Sequence, residues 1–199
     1  MLKSLLRDVR VILGSQSPRR KELLTSLDVD FDVVIKSVDE SIPNQIISSE
    51  AAEYIAIKKL LAFNIKEFED TLVITADTVV VDCADNVLGK PTSPEEAIQV
   101  LKLLSGKSHK VFTGVALGYQ GKVSSFNEET IVYFEDLAED EILYYVDKYK
   151  PYDKAGSYGI QEWIGRIAVG RIEGSYENVM GLPTVKLYQA IKEIIKKEA

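Results

Sequence analysis

From Thr71 to Val81 every residue is apolar or β-branched except one, Asp77. A run of this length and composition suits a central strand covered on both faces, because an exposed face would call for alternating polar residues. A carboxylate set into such a run is costly unless it is paired, hydrogen-bonded or bound to a cation. Functional carboxylates often stand at strand ends, so Asp77 is a candidate general base and metal partner. The competing reading is a strand-end aspartate making a structural hydrogen bond.

Around that run the chain reads as alternating strands and helices, an α/β class with a mixed sheet and flanking helices. Val11-Ile12-Leu13 is a short buried strand that stops at Gly14. Ser17-Pro18 reads as an N-cap followed by proline at the first helical position, opening a helix that buries Leu23, Leu24 and Leu27. Ser49 opens a second helix, with Tyr54, Ile55, Leu61 and Ala62 among its apolar positions. Asp85-Asn86 is a turn. Ser93-Pro94-Glu95-Glu96 combines cap, proline and a capping-box glutamate, and that helix should end at Gly106. Val111, Thr113, Val115 and Leu117 alternate as a half-buried strand, turned at Gln120-Gly121 towards a partner over Thr130–Phe134. Asp136 caps a helix to about Tyr149, with Glu139 at its third position. Pro183 opens a last helix that buries Leu187, Ile191, Ile194 and Ile195.

Composition excludes several classes. The formal net charge is −7, opposite to the balance that phosphate neutralisation gives a general nucleic-acid binder, so no stable nucleic-acid binding is expected. A locally basic pocket for a small phosphorylated ligand remains compatible with that total. No apolar stretch approaches the ~20 residues that span a bilayer, so no membrane partner is expected. Met1–Arg10 is charged throughout and lacks the apolar core of a signal peptide. Cys83 is the single cysteine, which rules out an internal disulfide and a thiolate cluster and makes a reducing cytoplasm the default. Cys83 reads as a small packed hydrophobe and not as a nucleophile. His109, with no partner histidine or cysteine, reads as solvated or structural.

Four stretches carry chemistry. Gly14-Ser15-Gln16-Ser17-Pro18-Arg19-Arg20 joins a strand to a helix. Arginines in a first helical turn are repelled by the dipole, and a bound polyphosphate would explain two of them. Ser15 and Ser17 hydroxyls, free amides and the guanidinium forks of Arg19 and Arg20 would converge on its oxygens. The spacing is not that of a Walker A loop. Thr75–Val81 supplies Asp77. Glu40, with Asp77, would give a divalent ion the one or two carboxylates it usually takes, while Lys59 and Lys90 add point charges for phosphate. Lys58 and Lys59 lie about 100° apart around a helix, so one of them faces a site. In Asp153–Gln161 the small residues Ala155, Gly156 and Gly159 allow backbone to approach a ligand closely, and the Gln161 amide suits a base edge; the competing reading is a tight structural turn. Gly174–Pro183 is a glycine-punctuated loop that reads as a structural hinge.

Together these stretches resemble the Maf family. The matching pieces are Leu13-Gly14-Ser15 through Leu24, Val38-Asp39-Glu40, Ala76-Asp77-Thr78-Val79, Leu88-Gly89-Lys90-Pro91, Val111–Val115, Lys154–Gln161 and Gly174-Ser175-Tyr176 through Pro183, in family order. The resemblance implies one Maf-like domain over residues 1–199, a two-lobed Maf/ITPase-like α/β fold around a deep cleft, and dimers in many members. It implies a cytoplasmic nucleoside triphosphate pyrophosphatase working with a divalent metal cation, Mg²⁺ or Mn²⁺. Carried over by position, Asp77 is the proton acceptor. Arg19, Thr78 and Gln161 set substrate choice. Ser15, Ser17, Arg19, Arg20, Lys59 and Lys90 bind phosphate, and Glu40 with Asp77 holds the metal. Tyr158-Gly159-Ile160-Gln161 resembles the branch acting on dTTP and UTP. Two other readings compete with it: a non-catalytic regulator linked to septum formation, and a purine enzyme of the 7-methyl-GTP type. Two residues depart from the family pattern. Leu60 replaces an alanine, and Glu162 replaces a glycine beside the base-reading glutamine.

Overall fold

The computed structural model describes residues 1–63 and 70–196. Its elements in chain order are α1 (Leu2–Leu5), β1 (Arg10–Leu13), α2 (Pro18–Thr25), β2 (Asp32–Val33), α3 (Ala51–Leu61), β3 (Thr71–Val81), β4 (Val87–Leu88) and α4 (Pro94–Leu104). They continue with β5 (Ser108–Tyr119), β6 (Lys122–Phe134), α5 (Glu139–Tyr149), α6 (Trp163–Ala168), β7 (Val169–Glu173), α7 (Tyr176–Met180) and α8 (Thr184–Lys196). The seven strands form one mixed sheet in the order β2-β1-β3-β5-β6-β7, with β4 paired to β3. β1 runs parallel to β2 and β3, β4 antiparallel to β3, and β7 antiparallel to β6.

The long apolar run is the strand it reads as. In β3 only Thr78 escapes full burial. Asp77 is not at its end, as the sequence suggested, but in its interior and 7% exposed. β5 also departs from expectation: Val111–Gly118 is buried throughout and not on alternate positions, so the strand is covered on both faces. The hairpin turn after it has φ of 48° at Gln120 and 73° at Gly121, the left-handed pair that a two-residue connection with the right twist requires.

The chain divides into two compact units. The first contains Met1–Asp77, Thr113–Glu128 and Gly181–Ala199. Its core joins Ile12, Ala56, Leu60, Phe63, Val73 and Ala116. α3 lies so close to β5 that a Cβ on Gly114 would fall 2.2 Å from the Glu53 nitrogen. Leu60 is 2% exposed in this core, and Leu61, read as an apolar position of the helix, is 63% exposed. α3 starts at Ala51 after a short 3₁₀ turn over Ser48–Glu50, slightly later than the Ser49 cap implied. Leu27 lies beyond the end of α2 and is only half-buried. In α8, Leu187, Ile191 and Ile194 are buried and Ile195 is half-buried.

The second unit contains Thr78–Phe112 and Glu129–Met180. α4 and α5 pack together, burying Leu101, Leu104, Ile142 and Val146. Ser93 caps α4 as expected, accepting from the Glu96 N–H at 3.2 Å, while the Glu96 carboxylate takes the Thr92 N–H at 2.7 Å. α5 begins later than Asp136 suggested. Its cap position is Ala138, whose N–H donates to Glu141 at 2.8 Å. Asp136 instead lies against Gly106, where a Cβ would meet its Oδ1. Cys83 is exposed, contrary to the packed position expected of it. His109 is 2% exposed and hydrogen-bonds Tyr158 Oη through Nε2 at 2.8 Å, so it is structural and not solvated.

Candidate active site

In the first unit, seven of the expected residues come from four places in the chain. β1 ends at Leu13, and the next residues turn into α2. The Ser17 hydroxyl caps that helix by accepting from the Arg20 N–H at 3.5 Å. Ser15 Oγ accepts from the Ser17 N–H at 3.3 Å and from Arg20 Nη1 at 3.2 Å. Both hydroxyl oxygens thus act as acceptors within this turn. Arg20 is buried and donates from Nε to the Gly181 carbonyl at 2.7 Å. Burial lowers its pKa, Asp77 and Glu40 oppose that, and Arg19 adds to it. Arg20 is therefore a structural tie between α2 and the segment before α8, as well as a cation facing the carboxylates. Arg19, half-buried next to it, belongs to the same electrostatic group.

The acids meet on one ammonium. Lys59, near the end of α3, lies 2.7 Å from Asp77 Oδ1 and 2.9 Å from Glu40 Oε1. Its neighbour Lys58 points elsewhere, 3.3 Å from Asp39 Oδ2, so one lysine of the pair serves the cluster, as helix geometry requires. Asp39 itself is held by Ser41, which donates through its hydroxyl at 2.6 Å and its N–H at 2.9 Å. Those bonds bring the Asp39 carboxyl down to about 2. Two carboxylates converging on one cationic position are a donor set that suits a hard divalent ion completed by water and phosphate oxygens. Among the described residues no group of three or more His, Cys, Asp or Glu side chains is arranged so that it could hold a metal ion.

The second unit carries Thr78, Lys90 and Gln161. Thr78 follows Asp77 directly in β3 and is half-buried. Lys90, exposed, lies two residues beyond β4. The segment 88–91 is tied to the Asp153–Gln161 loop by a bond from the Gly156 N–H to the Gly89 carbonyl at 3.3 Å. Gly156 has φ 69°, and a Cβ there would meet the Val80 side chain at 2.9 Å, so its missing side chain makes room for β3 of the same unit. The loop then turns at Gly159–Glu162, where the Glu162 N–H donates to the Gly159 carbonyl at 2.9 Å. Gln161 sits within that turn, and its Oε1 is buried without a hydrogen-bond partner.

The sequence matches the family described as Maf-like protein over residues 10–194. The chain belongs to the Maf-like family. A dTTP/UTP pyrophosphatase of Parabacteroides distasonis is 51% identical over 188 residues, covering 94% of this chain and 97% of that protein. Another of the same name, from Bacteroides thetaiotaomicron, is 50% identical over 187 residues, covering 93% and 96%. The Staphylococcus aureus Ham1 protein shares the fold, with a TM-score of 0.52 at 18% identity, covering 94% of this Maf-like chain and all of its own. Among the described residues no helix is long and apolar enough to cross a membrane.

The sequence alone did not mark Gly181, Tyr145 or Lys154 as partners in this Maf-like chain. The Gly181 carbonyl holds Arg20, and the available signal was a glycine between α7 and Pro183, whose φ proves to be 111°. Tyr145 and the charges of Lys154 and Glu162 surround the Gln161 turn. Glu162 in place of a glycine was the sign that something there had changed.

Proposed function

We propose that this chain is a nucleoside triphosphate pyrophosphatase that hydrolyses dTTP and UTP to the monophosphate and pyrophosphate. The reading is carried by the Lys59 ammonium joining Asp77 and Glu40, in the unit that also holds Arg19, Arg20 and the hydroxyls of Ser15 and Ser17. Cations and hydroxyl donors serve a polyphosphate, and paired carboxylates serve the water that attacks it. The names of relatives near half identity over nearly the whole chain support the pyrimidine substrate.

In this mechanism a water oxygen bonds to the α-phosphorus as the bond to the bridging oxygen breaks, and pyrophosphate leaves with that oxygen. Asp77 orients the water and takes its proton. Arg19, Arg20 and Lys59 meet the negative charge that develops on the phosphates, with Lys90 assigned to the same task; such charge stabilisation is usually the largest catalytic contribution. Ser15 and Ser17 donate O–H bonds to phosphate oxygens. Arg19, Thr78 and Gln161 are each assigned a part in substrate choice. Glu40 and Asp77 would hold the Mg²⁺ or Mn²⁺ ion, which when bound polarises the phosphoryl oxygens and neutralises their charge. We place the reaction in the cytoplasm, in keeping with the single cysteine.

The test is a panel of purine and pyrimidine triphosphates assayed for pyrophosphate release. Preference for dTTP and UTP supports the reading, and preference for 7-methyl-GTP replaces it with the purine one. Salt-sensitive DNA binding without turnover of any nucleotide would replace it with the regulator.

A further inference from the structure

A glutamine is ambidextrous. Its amide both donates and accepts, so it distinguishes uracil, which offers O4 and N3–H, from cytosine, which offers the opposite pattern, only if its approach is constrained. The second unit contains such a constraint. The Tyr145 hydroxyl, on α5, accepts the Gly159 N–H at 3.0 Å and donates to the Glu162 carboxylate. Gly159 and Glu162 are the two ends of the turn that contains Gln161, so one buried hydroxyl clasps both. The carboxylate is held in turn by Lys154 Nζ at 3.2 Å from Oε1, and that ammonium also contacts Asp153 Oδ1 at 2.7 Å.

The packing allows no slack. A Cβ on Gly159 would lie 2.8 Å from the Glu162 carboxyl carbon, and one on Gly165 would lie 1.9 Å from the Ile160 carbonyl oxygen. Tyr145 is fully buried and Lys154 is 7% exposed. Burial first, and the bond to Glu162 second, push the Tyr145 hydroxyl well above the ordinary tyrosine value, so it remains a neutral donor. Breaking the bond between Tyr145 and Glu162, or that between Lys154 and Glu162, would leave the buried Tyr145 hydroxyl or Lys154 ammonium short of a partner, which stiffens the turn.

We propose that Glu162 and Tyr145, braced by Lys154, are positioning residues that hold the Gln161 turn in the one setting that favours a uracil or thymine edge over cytosine. The proposal rests on the part in substrate choice given to Gln161 under Proposed function. It assigns a purpose to the residue at which this chain departs from the family's glycine.

The test compares UTP with CTP in the parent chain and in Glu162→Gly, Glu162→Gln and Tyr145→Phe. Glu162→Gly should raise KM for UTP about fivefold or more, the worth of one to two lost hydrogen bonds, and shrink the UTP-to-CTP ratio of kcat/KM by a similar factor, with kcat nearly unchanged. Glu162→Gln, which retains an acceptor for Tyr145, should stay closer to the parent. Tyr145→Phe should move the ratio in the same direction, and adding it to Glu162→Gly should cost little more. Without nucleotide, amides of residues 155–162 should exchange faster in Glu162→Gly than in the parent, while those of β3 do not change. An unchanged ratio in variants whose thermal stability has fallen would reduce the cluster to a structural role and overturn the proposal, as would unchanged exchange. If the parent turns over no triphosphate, the proposed function fails and the specificity role fails with it. The exchange experiment then still decides whether the clasp holds the turn.

Discussion

Among the described residues, Lys59 and Lys154 each hold two carboxylates, and the two clusters differ in what else their acids touch. Lys59 joins Asp77 and Glu40, whose chain positions lie far apart on β3 and on the loop before α3. The Glu40 side chain is 46% exposed, so that cluster has a solvated side on which a ligand can compete for the charges. Lys154 joins Asp153 and Glu162, but Glu162 is also taken up by Tyr145, and Tyr145 by the Gly159 N–H. Both clusters reach solvent through one acid, Glu40 in the first and Asp153 in the second; what sets the second apart is that its Glu162 also takes a fully buried hydroxyl. Charge alone does not separate the two clusters; the neutral donor and backbone N–H tied into the second do.

That contrast is broken most forcefully at Asp77. Asp77→Asn keeps the shape and removes the base, so kcat should fall by about 10²–10⁴ with Tm nearly unchanged, as steady-state kinetics and thermal melting would read. Lys59→Met comes next. It leaves Asp77 and Glu40 without their shared cation and should lower kcat/KM by about 10–10², with Lys59→Arg partly restoring it. The matching change in the other cluster, Lys154→Met, should lower stability more than kcat.

Stability supplies the smaller effects. Burial pushes the His109 imidazole down to about 4, against 6.5 for an ordinary histidine. The folded protein therefore keeps His109 neutral over a range in which the unfolded chain binds a proton. Its contribution is present above pH 6.5 and is lost as pH falls towards 4, about 3 kcal/mol over the whole window. Denaturant titrations at several pH values should show that slope, and His109→Gln should flatten it. Leu60→Ala, in the core of the first unit, should cost about 2–5 kcal/mol without moving the UTP-to-CTP ratio.

Local chemistry was readable before the structure. Ser17-Pro18 and Ser93-Pro94 cap helices because their signals lie within one turn of the bonds they make. The β3 run was readable because its burial leaves a composition that little else produces. What failed depended on partners distant in the chain. Asp136 has the look of a cap, yet it lies against Gly106 and the cap falls at Ala138. The β5 pattern alternates on paper, but α3 covers the Gly114 face and both sides are buried. A phase error of one residue put Leu61 inside in place of Leu60. Of the candidate site, the charged residues of the first unit were legible one by one. Their meeting on Lys59 was not, because eighteen residues separate it from Asp77. Tyr145 was invisible for a similar reason: on a helix it reads as one more apolar position.

The most direct test of the central claim is hydrolysis of UTP in ¹⁸O-labelled water, with each product analysed for the label. Attack on the α-phosphorus directed by Asp77 predicts label in UMP, none in pyrophosphate, and loss of the reaction in Asp77→Asn. Label in pyrophosphate, release of UDP with inorganic phosphate, or an Asp77→Asn variant working at the parent rate would contradict it.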